Sequence, residues 1–168
     1  MLLIALRVVH VLGGVFWAGA LLFVVFFLEP AVRAAGPDGA RVMQGLQKRH
    51  YLEVVPAVAV LTLLSGLFLY WRDFGRLYPG PGASGVELAL GIGGLAALVA
   101  LALGLAVLRP SALRMGALGA ELAQSAPERR EGLGAEMGRL RDRMRQSGRW
   151  VAALLGIAVV GMAIARYL

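Results

Sequence analysis

Residues 2–28 read LLIALRVVHVLGGVFWAGALLFVVFFL, an apolar run of 27 residues interrupted only by Arg7 and His10. A helix needs about 20 mostly apolar residues to cross the hydrocarbon core of a bilayer. This run is long enough to cross, and it is about twice the length of a signal peptide's apolar region, so it is predicted to be a retained helix. Working outward, three more stretches meet the same criterion: about Leu52–Trp71, Val86–Leu108 and Trp150–Leu168. The whole chain of 168 residues is 59% hydrophobic, above the half that is usual for a soluble domain. The expectation is therefore an all-α integral membrane four-helix bundle, with residues 1–168 forming a single transmembrane domain.

The connections are polar and differ in length. Pro30 closes the first span, and Arg33–Asp38 reads as a turn around Gly36-Pro37. From Gly39 a polar helical pattern is expected to run unbroken into the second span, where Pro56 should kink it. The second loop, Arg72 to Gly85, carries Tyr78-Pro79-Gly80-Pro81-Gly82 and has room only for a turn. Gly91, Gly94 and Gly104 give the third span little bulk, which favours close helix approach. The third loop, about 109–149, reads as one or two polar helices broken near Ser125-Ala126-Pro127. Its Glu136, Arg139, Asp142 and Arg145 alternate in sign, as on a solvated helix face.

Charge sets the expected orientation. Arg33, Arg41, Lys48 and Arg49 lie in the first loop, and nine arginines from Arg109 to Arg149 lie in the third. Against these thirteen, the opposite side has only Arg72, Arg76 and Arg166. The positive-inside rule predicts a multi-pass protein of the cell (inner) membrane, with the basic loops forming a cytoplasmic helical layer and both termini outside. The net charge of +7 is read as this topology signal together with contact to anionic lipid, not as nucleic-acid binding. The chain has no cysteine, which excludes disulfides, thiolate zinc sites, cysteine-ligated clusters and covalent c-type haem.

Chemistry has to come from the few polar residues inside the spans, because polar groups there are costly. His10 lies roughly 7 Å outward of the first span's centre at 1.5 Å per residue. Arg7, Gly14 and Trp17 continue its helix face as a cation, a bare backbone patch and an indole. A neutral imidazole ligates haem iron or copper, a glycine lets a flat macrocycle approach, and Arg7 can meet a propionate. The competing reading makes His10 a hydrogen-bonding tie between helices and lets Arg7 snorkel to headgroups. Thr62, Ser65 and Met162 should share the outer half of the membrane with His10. Met162 is a conceivable second ligand, since a thioether suits Cu(I) or haem iron. His50 is expected on the order of 20 Å away along the bundle axis, at the inner rim, and so cannot share an ion with His10. Glu87 opens the third span and is expected to pair with Arg7 or Arg166. No phosphate-binding glycine motif, zinc-protease motif or nucleophile elbow is present.

The segment His10-Val-Leu-Gly-Gly-Val-Phe-Trp17-Ala-Gly19 resembles the H-x6-W-x-G signature in the first helix of small CopD-like (copper-resistance protein D-like) membrane proteins. Leu61-Thr62-Leu-Leu-Ser-Gly66, Arg109-Pro110 and Met162-Ala-Ile-Ala-Arg166-Tyr167 extend the likeness over nearly the whole chain. HemJ-type protoporphyrinogen oxidases are similar at a greater distance, with four spans and a first-helix histidine associated with haem b. The resemblance implies a four-helix fold with His10 as a metal ligand. Where the HemJ type carries a lysine at the start of its third span, this chain has Glu87. The reading carried forward is a cofactor-binding membrane protein, with haem b or copper on His10, serving redox chemistry or metal handling. Its expected partners are the bilayer, a redox or membrane-protein partner, or further copies of itself. The alternative is a structural or assembly subunit without a cofactor, and a HemJ-like oxidase is the third possibility.

Overall fold

The computed structural model describes residues 1–168, the side chain of Pro37 excepted. It is helical throughout, with no strand among the described residues. Helix α1 (Leu2–Phe23) passes through a π turn, Val24–Leu28, into α2 (Glu29–Ala34). Helices α3 (Pro37–Lys48) and α4 (Tyr51–Phe74) follow. Next, α5 (Gly85–Leu103) passes through a second π turn, Gly104–Leu108, into α6 (Arg109–Gln124). Helix α7 (Pro127–Ile164) ends in a 3-10 turn, Ala165–Tyr167. Four continuous helical stretches are long and apolar enough to cross a membrane: Leu2–Ala34, Tyr51–Phe74, Gly85–Gln124 and Pro127–Tyr167.

The two π turns have one physical cause. Each lies immediately before an X-Pro pair, Glu29-Pro30 or Arg109-Pro110. Proline lacks an N–H, and in an α-helix its ring collides with the carbonyl four residues back, here Phe26 or Ala106. The chain widens by a turn instead of breaking: Glu29 N–H donates to Val24 O and Arg109 N–H to Gly104 O, five residues back in each case. Pro56 lies inside α4, and the helix continues past it to Phe74.

The expected unbroken passage from the polar helix into the second span does not occur. His50 adopts a left-handed conformation, φ 57°, and separates α3 from α4. Histidine is among the non-glycine residues enriched in that region, and the resulting turn lets a polar helix and an apolar one point in different directions. The break expected near Ser125-Ala126-Pro127 is present, between α6 and α7.

Helix α1 packs on α4, α5 on α7, and α4 on α5, while α1 also meets α7. The buried centre consists mostly of small residues, Ala59, Ala96, Ala97, Ala100 and Ala158, around Trp17, Val55, Val151 and Leu155. The bulky apolar residues point the other way: Leu12, Val15, Leu64, Ile92, Leu98 and Val160 are all exposed. Lipid tails are as apolar as leucine, so helices in a bilayer gain by close backbone contact at small residues. At the α5–α7 seam, a methyl group built on Gly161 would stand 2.8 Å from Ala89 O, and one on Gly93 would stand 3.2 Å from Ala158 O. Gly93 thus makes the close approach expected of Gly94 and Gly104, which face open space, while Gly91 accommodates Pro79 of the loop. On the polar side, Arg114 grips Glu136 through two hydrogen bonds of 2.8 and 3.2 Å, which clamps α6 to α7.

Candidate functional site

Three helices converge on one imidazole. His10, half-buried on α1, directs Nδ1 at the backbone carbonyl of Thr62 on α4, 2.8 Å away. Its Nε2 faces the sulfur of Met162 on α7 at 3.4 Å. Gly66, one turn beyond Thr62, forms the floor: a methyl group there would stand 2.7 Å from Nδ1. The Ser65 hydroxyl is shared between Leu61 O at 2.8 Å and the same Thr62 carbonyl at 3.0 Å. Thr62 turns its own hydroxyl back onto Val58 O at 2.8 Å, so it offers the site only its main chain.

The hydrogen bonds assign the tautomer. A neutral imidazole carries one N–H, and a carbonyl is a far better acceptor than a thioether. The proton therefore belongs on Nδ1, directed at Thr62 O, which leaves the Nε2 lone pair facing the lone pairs of Met162 sulfur. An N–H donated to a backbone carbonyl is the usual way a metal-ligating histidine is oriented. The arrangement offers one nitrogen and one thioether donor to a single soft cation.

Metal–nitrogen and metal–sulfur bonds of roughly 2.0 and 2.3 Å total about 4.3 Å end to end. The observed 3.4 Å is a direct contact shorter than that sum, so one ion on both donors would require them to part or to bind it at a bent angle. Gly66 packs directly against the His10 ring. No group of three or more His, Cys, Asp or Glu residues is placed to hold a metal among the described residues.

The remaining residues singled out by the sequence fall elsewhere. Trp17 is buried in the central cluster. Gly14 is only in ordinary contact with Thr62 Cγ2, at 3.7 Å, whereas its neighbour Gly13 presses on the Thr62 side chain and makes the close approach. Arg7 is exposed and forms no ion pair among the described residues. His50 is exposed, with its ring 3.8 Å from Glu53.

Glu87 is paired, but not with Arg7 or Arg166. Its side chain is 3% exposed and is gripped by Arg76 of the second loop, with Nε on Oε1 and Nη2 on Oε2 at 2.6 Å. Tyr70 Oη approaches Oε1 at 3.5 Å, and the Glu87 N–H is capped by Ser84 Oγ at 3.2 Å. Arg166 instead lies over the Tyr167 ring, 4.7 Å from its centroid. The loop folds back because Pro79 seats on Gly91, one turn beyond Glu87. Arg76 could have been noticed as the cation nearest Glu87 in the chain. Gly66 could have been noticed as the glycine one turn from Thr62.

The fold defines a multi-pass helical membrane protein. A comparison of the chain with protein-family models, curated proteins and solved structures finds no match.

Proposed function

We propose that this protein is a metal-handling protein of the cell's inner membrane that holds Cu(I) between His10 and Met162 in the outer half of the bundle. The observation that carries the reading is the Nδ1 contact to Thr62 O, which leaves Nε2 as a bare lone pair facing a thioether. Imidazole together with thioether is a soft donor pair and selects Cu(I) over harder cations. Copper is also what the CopD-like resemblance of the first helix implies. Met162 is 37% exposed, so the site borders the bilayer and a further ligand could be delivered by a partner protein or a second copy. The charge asymmetry of the loops supports cytoplasmic placement of α3 and α6 and outward-facing termini.

The test is a Cu(I) titration of purified protein against a competing chelator, with X-ray absorption at the copper edge. One equivalent is expected, with nitrogen and sulfur scatterers, and it should be lost in His10→Ala and weakened in Met162→Leu. Equal binding by the His10→Ala variant would overturn the reading. A Soret band in the purified protein that disappears with His10→Ala would overturn it in favour of haem.

The second reading, a structural or assembly subunit, draws on the same contacts. His10 ties α1 to α4 and α7 without any ion, as a polar fastener between helices would. Stability that falls in His10→Ala, with no copper bound by the unmodified protein, would favour it.

A further inference from the structure

A second site lies at the opposite end of the bundle and does not depend on His10. Where α1 leaves its π turn and α7 changes from polar to apolar, Arg33, Arg145 and Arg149 line a groove of about 440 Å³ with Val25 and Pro30. Its one acid is Glu29, already engaged by Arg33 at 2.9 Å. Arg145 reaches Asp142 at 3.2 Å, an acid that is itself widely exposed. Arg149 has no acidic partner among the described residues. The groove thus carries three guanidiniums against one carboxylate. Its polar edge continues into apolar surface: Trp150 is 62% exposed beside Arg149, and Phe26 is exposed on the adjoining π turn. An exposed indole at a span's end marks the headgroup level of a bilayer. Gly148 brings the two helices together here, with Val25 Cγ2 3.3 Å from the place of its missing methyl.

We propose that this groove binds the phosphate of an anionic phospholipid, with Arg145 and Arg149 on the headgroup and the acyl chains along the exposed face beside Val25 and Phe26. Arginine matches phosphate oxygens with paired N–H donors. Basic pockets between helices at the headgroup level select anionic lipids in this way. A free phosphate satisfies the arginines equally, but it makes no use of the apolar floor or of the adjoining aromatic side chains.

The experiment is native mass spectrometry of the detergent-purified protein titrated with phosphatidylglycerol or phosphatidylcholine, with thermal melts in parallel. The unmodified protein is expected to retain phosphatidylglycerol in preference to phosphatidylcholine. Each guanidinium near an anionic headgroup contributes about fivefold, so Arg145→Gln with Arg149→Gln should lose about 25-fold in phosphatidylglycerol affinity. Phosphatidylcholine binding by that variant should be unchanged, which shows that it is folded. A control pair on the same helix, Arg139→Gln with Arg143→Gln, removes equal charge from exposed positions and should retain the preference. An equal loss in the control pair would reduce the effect to diffuse surface charge and overturn the site. Stabilisation by inorganic phosphate matching that by phosphatidylglycerol would overturn the lipid in favour of a soluble anion.

Discussion

The Nε2 atom of His10 lies 3.4 Å from the sulfur of Met162, although 152 residues separate them in the chain. The first helix and the last meet here at the same depth, and Gly66 of the second span leaves the ring just enough room. Gly66→Ala should therefore be severe, because a methyl group 2.7 Å from Nδ1 forces the imidazole off Thr62 O. Overpacking of this kind costs about 1–3 kcal/mol, and Cu(I) affinity should fall by roughly tenfold or more with it. Gly14→Ala makes only an ordinary 3.7 Å contact and should leave both intact. Melting temperature and chelator competition on the two variants check this, and equal losses would contradict it.

Arg76 and Glu87 should behave as a unit. Arg76→Leu strands a buried carboxylate and should lower the melting temperature by several degrees, while Arg7→Gln and Arg166→Gln should not. Adding Glu87→Gln to Arg76→Leu should recover part of the loss, as a double-mutant cycle would register. If Arg166→Gln proves the costlier change, the assigned partner is wrong.

The protein is expected not to oxidise protoporphyrinogen IX. If the HemJ-like resemblance aligns Glu87 with the lysine of that type, the position holds a carboxylate bound by Arg76 in a bidentate contact. Fluorescence of the product, measured against a boiled control, is the check, and robust turnover would revive the oxidase reading.

Orientation can be measured because the chain has no cysteine of its own. Cysteines at Tyr78 and Gln124, both exposed, should label from opposite faces of sealed cells, with Tyr78 outside. Ser84 is a poorer choice because its hydroxyl caps α5. Labelling of both positions from one side would refute the arrangement of the loops.

Tyr51 carries the one buried side-chain polar atom without a hydrogen-bond partner among the described residues. An unmet buried hydroxyl is a cost, so Tyr51→Phe should raise stability by about 1 kcal/mol. A lower melting temperature would mean that the hydroxyl has a partner after all.

Depth was legible in the sequence, and direction around each helix was not. The fixed rise per residue placed His10, Thr62, Ser65 and Met162 in the same half of the bundle, and the structure brings them together. Which glycine faces which neighbour depends on how each helix is rotated, and apolar residues on every side of a span give no moment from which to read that rotation. Gly13, Gly66 and Gly93 were missed for this reason. Arg76 was missed because its position depends on the fold of a turn that Pro79 fixes against Gly91. The left-handed His50 has no sequence mark beyond its residue type.

The two π turns act as phase shifters. A widened turn absorbs one residue beyond an α turn, so the sequence after it is offset by about 100° from the helical phase of the sequence before it. The spans before Pro30 and Pro110 are therefore decoupled in azimuth from the polar helices that continue them. The first can turn leucine and valine to lipid while its extension turns Arg33 toward Arg145 and Arg149. Each turn is a one-residue buffer: deleting a residue from Val24–Leu28 would close the wide turn to an ordinary α turn and leave Arg33 facing Arg145 and Arg149, whereas the same deletion in the regular helix before it would swing Arg33 by about 100° out of the cationic groove.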